Sequence, residues 1–256
     1  MESIAEKLEM YGQEHILDLP TLSMDSAILK QVDNLDLPRV LSAYNKAKLR
    51  MNELNTKKNV TPIQVIHKLE NSESKIFYKK IGYEAINHNK VAVIILSGGQ
   101  GTRLGFDGPK GMYDIGLPSK KSIFELHVDK VRKIRELVVQ EYKLDKKPSL
   151  PIYIMTSDLN DTLIRKYFKD NEYFNYPSED IYFFEQGLEP CLSLDGKLII
   201  ESEESIALAP DGNGGIYKAL HDTGALENMI SRGIEHLHVY GIDNVLNKSA
   251  DPLFLG

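Results

Sequence analysis

Val91-Ala92-Val93-Ile94-Ile95-Leu96-Ser97-Gly98-Gly99-Gln100-Gly101-Thr102-Arg103-Leu104-Gly105 runs six apolar residues straight into a glycine-rich loop. An unbroken apolar run of this kind fits a strand buried on both faces, as in a parallel sheet. In an open α/β sheet, ligands sit beyond the carboxyl ends of the strands. Glycines at that point let backbone N–H groups approach phosphate oxygens with no side chain in between. Three phosphate-binding loops compete for the pattern. A Walker A loop closes on Gly-Lys-Ser/Thr, whereas this one closes on Leu104-Gly105. A dinucleotide fingerprint needs G-x-G-x-x-G. Gly99, Gly101 and Gly105 are spaced one residue too wide, and Lys120-Lys121 stand roughly where an acid should meet the ribose. The third reading is a nucleotidyltransferase loop, with Arg103 inside it and Pro109-Lys110 just downstream.

The charges suit that third reading. Attack on the α-phosphorus of a nucleoside triphosphate builds negative charge on the non-bridging oxygens and on the departing pyrophosphate. Positioned Arg and Lys side chains stabilise that charge. From Ser97 to Lys121, Arg103, Lys110, Lys120 and Lys121 stand against only Asp107 and Asp114, a positive excess in a chain of net charge -6. Lys120 and Lys121 read as a solvated pair. Arg103 and Lys110 are the candidates for catalysis.

Outward from the loop, the chain divides near Lys90. Downstream, strands and helices alternate. Ser122-Ile123-Phe124-Glu125 matches a capping box that opens a helix with Val131, Ile134 and Val138 on one face. Residues 151–155 and 181–184 are expected strands on either side of a helix striped by Leu163, Ile164, Tyr167 and Phe168. Asp195-Gly196 reads as a hairpin turn between Leu194 and Leu198. Residues 215–232 read as mostly helical, and 236–242 as a further strand. This alternation implies a doubly wound, Rossmann-like α/β fold with a mixed sheet. Upstream the texture is helical. Ile4, Leu8 and Tyr11 recur at helical spacing, Ser23 is a plausible N-cap for a helix carrying Ile28, Leu29 and Val32, and Pro38 opens a stretch with Val40, Tyr44 and Ala47 on one face. Residues 59–69 read weakly as a helix. The expected organisation is a helical region over 1–88 and a nucleotide-binding α/β domain over 89–256.

Composition is that of an ordinary soluble globular protein. The chain has 256 residues and a 42% hydrophobic content, enough for a sizeable core. Its acidity argues against a general binder of nucleic acid or anionic membranes. A single cysteine, Cys191, rules out an intrachain disulfide and suggests a reducing compartment, so the expected location is the cytoplasm. Cys191 reads as a small packing residue, and His236 and His238 as structural residues of a strand with no third metal ligand.

The loop and its continuation from Pro109 to Ser122 closely resemble the eukaryotic UDP-N-acetylhexosamine pyrophosphorylases. The matching stretches 153–157, 183–187, 209–215, 238–244 and 250–252 extend that resemblance over nearly the whole chain, in the family's order. The resemblance implies a nucleotidyltransferase fold of the GT-A-like kind and formation of UDP-N-acetylglucosamine and pyrophosphate from UTP and N-acetylglucosamine 1-phosphate. It implies nucleotide contacts from Leu96, Ser97, Gly98, Gly99, Gly101, Thr102 and Lys110. Gln186 would bond the uracil edge, with Gly212 packed near it. Asn213 would reach the sugar, Asp243 would hold Mg²⁺ between the phosphates, and Arg103 with Lys110 would stabilise the transferring group. A monomer or weak homodimer is expected. Departures are Ser97 in place of a common alanine, Glu185 in place of a common glutamine, and Gly241 in place of a larger residue. The family also continues for roughly as many residues again. That second half supplies much of the N-acetylhexosamine pocket and a catalytic lysine. The 89–256 domain is therefore expected to be incomplete at its C-terminal end. Two other readings stay open: transfer to a different sugar 1-phosphate, and uridine-nucleotide binding without turnover.

Overall fold

The computed structural model describes residues 3–20, 23, 25–54, 61–64 and 72–256. Its helices and strands follow in the order α1 (Ile4–Met10), α2 (Ala27–Asp33), α3 (Leu37–Leu54), α4 (Ser72–Asn87), β1 (Val91–Leu96), α5 (Ile123–Tyr142), β2 (Ile152–Thr156), α6 (Asp161–Asp170) and β3 (Ile181–Glu185). Four short strands come next: β4 (Leu188–Pro190), β5 (Ile200–Ser202), β6 (Ser205–Ile206) and β7 (Leu208–Pro210). The chain continues through α7 (Ile216–Asp222), α8 (Ala225–Ser231), β8 (His236–Gly241) and α9 (Pro252–Leu255). The weak helix expected over 59–69 lies outside the described residues except for 61–64, which carry no helix.

The chain groups into two compact units, one of Met1–Ile66 with Leu188–Ala209 and the other of His67–Gly187 with Pro210–Gly256. This division differs from the boundary expected near residue 88. The segment 188–209 leaves the α/β sequence to join the first helices, and α4 belongs with the second unit. In the first unit Leu8, Ile16, Ile28, Leu29, Val32 and Leu37 share a core with Leu198 and Ile206. Gln13, 1% exposed, ties this together by donating to the Gly196 carbonyl and accepting from the Leu198 amide. The expected turn at Asp195-Gly196 is present, with Gly196 at φ +86°, a conformation that favours glycine. The N-cap of α2 is Ser26, not Ser23, whose carbonyl instead accepts from the Ser26 amide.

The second unit is built on a sheet of order β3-β2-β1-β8 in which every pairing is parallel. The mixed character expected of the sheet is absent from it: antiparallel pairing occurs in the separate pair β5–β6. Alternate residues of β1 enter two different cores. Val91, Val93 and Ile95 pack with α5 and α6 residues such as Phe124, Val128, Ile164 and Phe168. Ala92 and Ile94 pack with Ile216, Leu220 and Met229 of α7 and α8. Helices thus cover both faces, which is why β1 is apolar at every position. Ser122 caps α5 by accepting from the Glu125 amide. Only half of the expected capping box forms, because the Glu125 carboxylate lies 3.1 Å from Lys121. The helical stretch expected over 215–232 is divided by Gly224 at φ +73° into α7 and α8.

A candidate nucleotide site at the carboxyl ends of the strands

A pocket of about 320 Å³ opens where β1 lies between β2 and β8, at the carboxyl ends of the parallel strands. The chain turns from one side of the sheet to the other at β1, and such switch points leave a crevice between diverging loops. Leu96 and Met155 form its floor at the ends of β1 and β2. Gly98 and Gly99 form one wall, and Gly241, Ile242 and Asp243 leave β8 along another.

Lys110 reaches this pocket on a short turn. Gly99 and Lys110 are joined by a bond from the Lys110 amide to the Gly99 carbonyl, beside a bridge between Gln100 and Pro109. Gly111 lies against the ring of Phe124 at the start of α5, where a Cβ would overlap the ring. The turn is therefore held by the core, and its lysine is aimed. Lys110 Nζ lies 3.4 Å from Asp243 Oδ2. Asp243 is positioned from behind. The Ile242 amide donates to the Leu96 carbonyl at 3.0 Å, and the buried ring of His127 donates from Nε2 to the Ile242 carbonyl at 2.9 Å. Burial pushes the His127 pKa down to about 4, so the ring is neutral near pH 7 and a carbonyl-facing nitrogen must carry its proton. Lys130 anchors the following loop through the carbonyls of Val245 and Asn247.

Gln186 follows β3, and its amide donates to the Thr156 carbonyl at 2.9 Å. Its side-chain amide lies so close over Gly98 that a Cβ there would overlap it. Gly98→Ala is accordingly expected to displace the Gln186 side chain from its place over the loop, checked by the crystal structure of the variant. Pro210, Gly212 and Asn213 form the remaining wall. Gly212 sits at φ +71°, and Asn213 begins a one-turn 3₁₀ helix that leads into α7.

The structure thus gathers Leu96, Gly98, Gly99, Lys110, Gln186, Gly212, Asn213 and Asp243 from the expected set. It does not bring Ser97, Gly101, Thr102 or Arg103 to the pocket lining. Ser97 is fully buried behind the loop, and Gly101 packs against Phe106. Thr102 and Arg103 lie exposed on a one-turn 3₁₀ helix closed by Gly105 at φ +67°. That turn swings their side chains outward, which glycine spacing alone could not reveal. Met155, Pro210, Gly241 and Ile242 also line the pocket, and no motif in the sequence assigned them to it. The rule that ligands sit at carboxyl strand ends pointed to three of them, since Met155, Gly241 and Ile242 stand at or just beyond the ends of β2 and β8.

Residues 39–256 match the family described as UTP–glucose-1-phosphate uridylyltransferase. The chain belongs to this family. It is 40% identical over its whole length to UDP-N-acetylglucosamine diphosphorylase 2 of Arabidopsis thaliana, covering 52% of that protein. It is 38% identical to the UDP-N-acetylglucosamine pyrophosphorylase of Saccharomyces cerevisiae, over 98% of the chain and 51% of the relative. The crystal structure of the Trypanosoma brucei uridine diphosphate N-acetylglucosamine pyrophosphorylase in complex with an inhibitor superposes with a TM-score of 0.79 at 28% identity. It covers all of this chain and 54% of that one. The chain spans about half the length of the curated relatives it matches.

Within this uridylyltransferase-family chain, the described residues hold no cluster of three or more His, Cys, Asp or Glu suited to a metal. The exposed Asp243 carboxylate, 3.4 Å from Lys110 Nζ, is a hard oxygen donor of the kind a divalent cation takes. Mg²⁺ keeps several waters and is commonly held by one or two carboxylates together with substrate phosphates. The His238 ring is buried and accepts from the Ala250 amide, a structural role, whereas His236 is exposed. No helix among the described residues is long and apolar enough to cross a membrane.

Proposed function

We propose that this chain carries the uridine-nucleotide site of a uridylyltransferase that forms UDP-N-acetylglucosamine and pyrophosphate from UTP and N-acetylglucosamine 1-phosphate, in the cytoplasm. The observation that carries the reading is the convergence of the Gly98-Gly99 backbone, Lys110, Gln186 and Asp243 on one pocket. Gln186 presents an amide, which can match both a carbonyl and an N–H of uracil. In the proposed reaction a phosphate oxygen of the sugar phosphate attacks the α-phosphorus in line. The bond from that phosphorus to the β-phosphoryl oxygen breaks, and pyrophosphate leaves with the electron pair. No side-chain nucleophile is needed, since positioning and charge stabilisation dominate phosphoryl transfer. Lys110 neutralises charge growing on the transferring group. Asp243 would hold Mg²⁺, which supplies Lewis-acid charge to the phosphates when bound. Asn213, on the pocket wall, is proposed to meet the sugar.

Pyrophosphate release from UTP, measured with N-acetylglucosamine, N-acetylgalactosamine, glucose and galactose 1-phosphates, tests the proposal. Release with N-acetylglucosamine 1-phosphate is expected to be fastest, and release only with glucose 1-phosphate would overturn the substrate assignment. Arg103, exposed and without a hydrogen bond or ion pair among the described residues, is proposed to act only when substrate draws it in. Arg103→Ala should therefore cut turnover by about tenfold with an unchanged thermal midpoint. Intact turnover would remove it from the mechanism. A second reading is nucleotide binding without turnover, in which the pocket residues hold the nucleotide and Asn213 meets no sugar phosphate. Tight UTP binding with no pyrophosphate release would select it.

A further inference from the structure

The turn after β2 grips the glycine loop from behind. Ser157 and Asn160 are each 1% exposed, and neither lines the pocket. Asn160 Oδ1 accepts from the Ser157 amide at 2.9 Å, which closes the turn on itself. Asn160 Nδ2 then donates to the Ser97 carbonyl at 3.2 Å, and Ser157 Oγ donates to the Gly98 carbonyl at 3.1 Å. Although Asn160 occupies the N-cap position of α6, its side chain makes no capping bond to that helix and reaches across to the β1 loop instead.

Peptide geometry gives these two bonds a consequence on the other side of the loop. In a trans peptide the C=O and N–H of one unit point in opposite directions. The Ser97 carbonyl shares its unit with the Gly98 N–H, and the Gly98 carbonyl shares its unit with the Gly99 N–H. Pinning each carbonyl toward α6 turns the partner N–H toward the pocket that Gly98 and Gly99 line. The Lys110 amide, bonded to the Gly99 carbonyl at 3.3 Å, fixes the plane of the next peptide unit. The N–H groups of Gly98, Gly99 and Gln100 donate to no acceptor among the described residues. Donation into a carbonyl also polarises its peptide and strengthens the N–H as a donor.

We propose that Ser157 and Asn160 are positioning residues that set the amides of Gly98 and Gly99 as an anion cradle for a phosphate group of the nucleotide. This rests on the uridine-nucleotide reading of the pocket. The fold of the turn has separate support, because Thr156 Oγ1 donates to Asp161 Oδ1 at 2.7 Å and Arg165 Nε lies 2.6 Å from Asp161 Oδ2. Removing the Ser157 hydroxyl therefore frees a peptide plane without dismantling α6.

Titration calorimetry of UTP and of uridine against the unmodified 256-residue chain, Ser157→Ala, Ser157→Thr and Asn160→Asp tests the assignment. Ser157→Ala should weaken UTP by about five- to tenfold, the size of one lost hydrogen bond to a charged ligand's cradle, and leave uridine unchanged. Ser157→Thr, which keeps the hydroxyl, should restore UTP binding. Asn160→Asp, which sets a carboxylate oxygen against the Ser97 carbonyl, should weaken UTP further. Undiminished UTP binding in Ser157→Ala and Asn160→Asp would overturn the positioning role alone, and so would equal losses for UTP and uridine. An unmodified chain that binds neither ligand would instead sink the uridine-nucleotide reading, and this assignment with it.

Discussion

Lys110→Met is expected to lower pyrophosphate release in the proposed reaction by about 10²- to 10³-fold, the range seen when one preorganised charge-stabilising donor is removed. Among the described residues Lys110 is the one cation lining the pocket, and only 23% of its side chain is exposed. A partly desolvated ammonium at that position interacts with developing phosphate charge more strongly than one in bulk water. Methionine keeps the packing of the stem along Gly99 and removes only the charge. The ion pair with Asp243 contributes little to folding, because the Asp243 side chain is 67% exposed and exposed pairs are weak. The thermal midpoint should therefore stay close to that of the unmodified chain. Thermal scans and steady-state assays of the same preparations would check both halves. Turnover unaffected by Lys110→Met but abolished by Arg103→Ala would move the catalytic charge from the pocket to the exposed turn.

The second large effect is on stability in mild acid. His127 is fully buried, with Nε2 on the Ile242 carbonyl and its ring 5.1 Å from that of Tyr240. Desolvation depresses its pKa from 6.5 to about 4, the nearby Lys130 charge acts in the same direction, and the carbonyl bond opposes both. Above pH 6.5 the ring is neutral in the folded and unfolded chain alike, and it costs nothing. Between about 6.5 and 4 the unfolded chain binds the proton and the folded chain does not, so stability falls as pH falls. The full difference corresponds to about 3 kcal/mol. Burial lowers the His238 pKa as well, which adds a loss of the same sign. His127→Gln, which keeps a donor for Ile242 and cannot titrate, should show a shallower loss of stability over that window in urea unfolding at stepped pH. Equal slopes in the two proteins would remove His127 as the cause. Because the same ring supports the Ile242 carbonyl beside Asp243, loss of structure in acid should begin at the pocket.

Particular residues show how far the sequence could be read. β1 was legible because both of its faces are buried, and a strand covered on both sides calls for an apolar residue at every position. Lys110, Gln186 and Asp243 were legible as a set only through resemblance, since Gln186 lies 76 positions after Lys110 and no local pattern joins them. Ser157 and Asn160 left no signal of their own. Small polar residues after a strand are ordinary turn formers, and only the approach of the β2 turn to the β1 loop gives them a task. The segment 188–209 was read correctly at its Asp195-Gly196 turn but not in its partners, because Leu198 and Ile206 carry no mark of which core they enter.

Local chemistry by itself determined the elements: apolar runs for the strands, Ser122 for the start of α5, Gly196 for a turn, and a glycine loop where β1 ends. Tertiary structure alone decided which charges meet. It aimed Lys110 inward and Arg103 outward from one loop, and it set His127 behind Asp243 and Asn160 behind Ser97. The physical reason is that propensity and periodicity act over a few neighbouring residues. The direction of a side chain in a site is set instead by the packing of elements far apart in the chain.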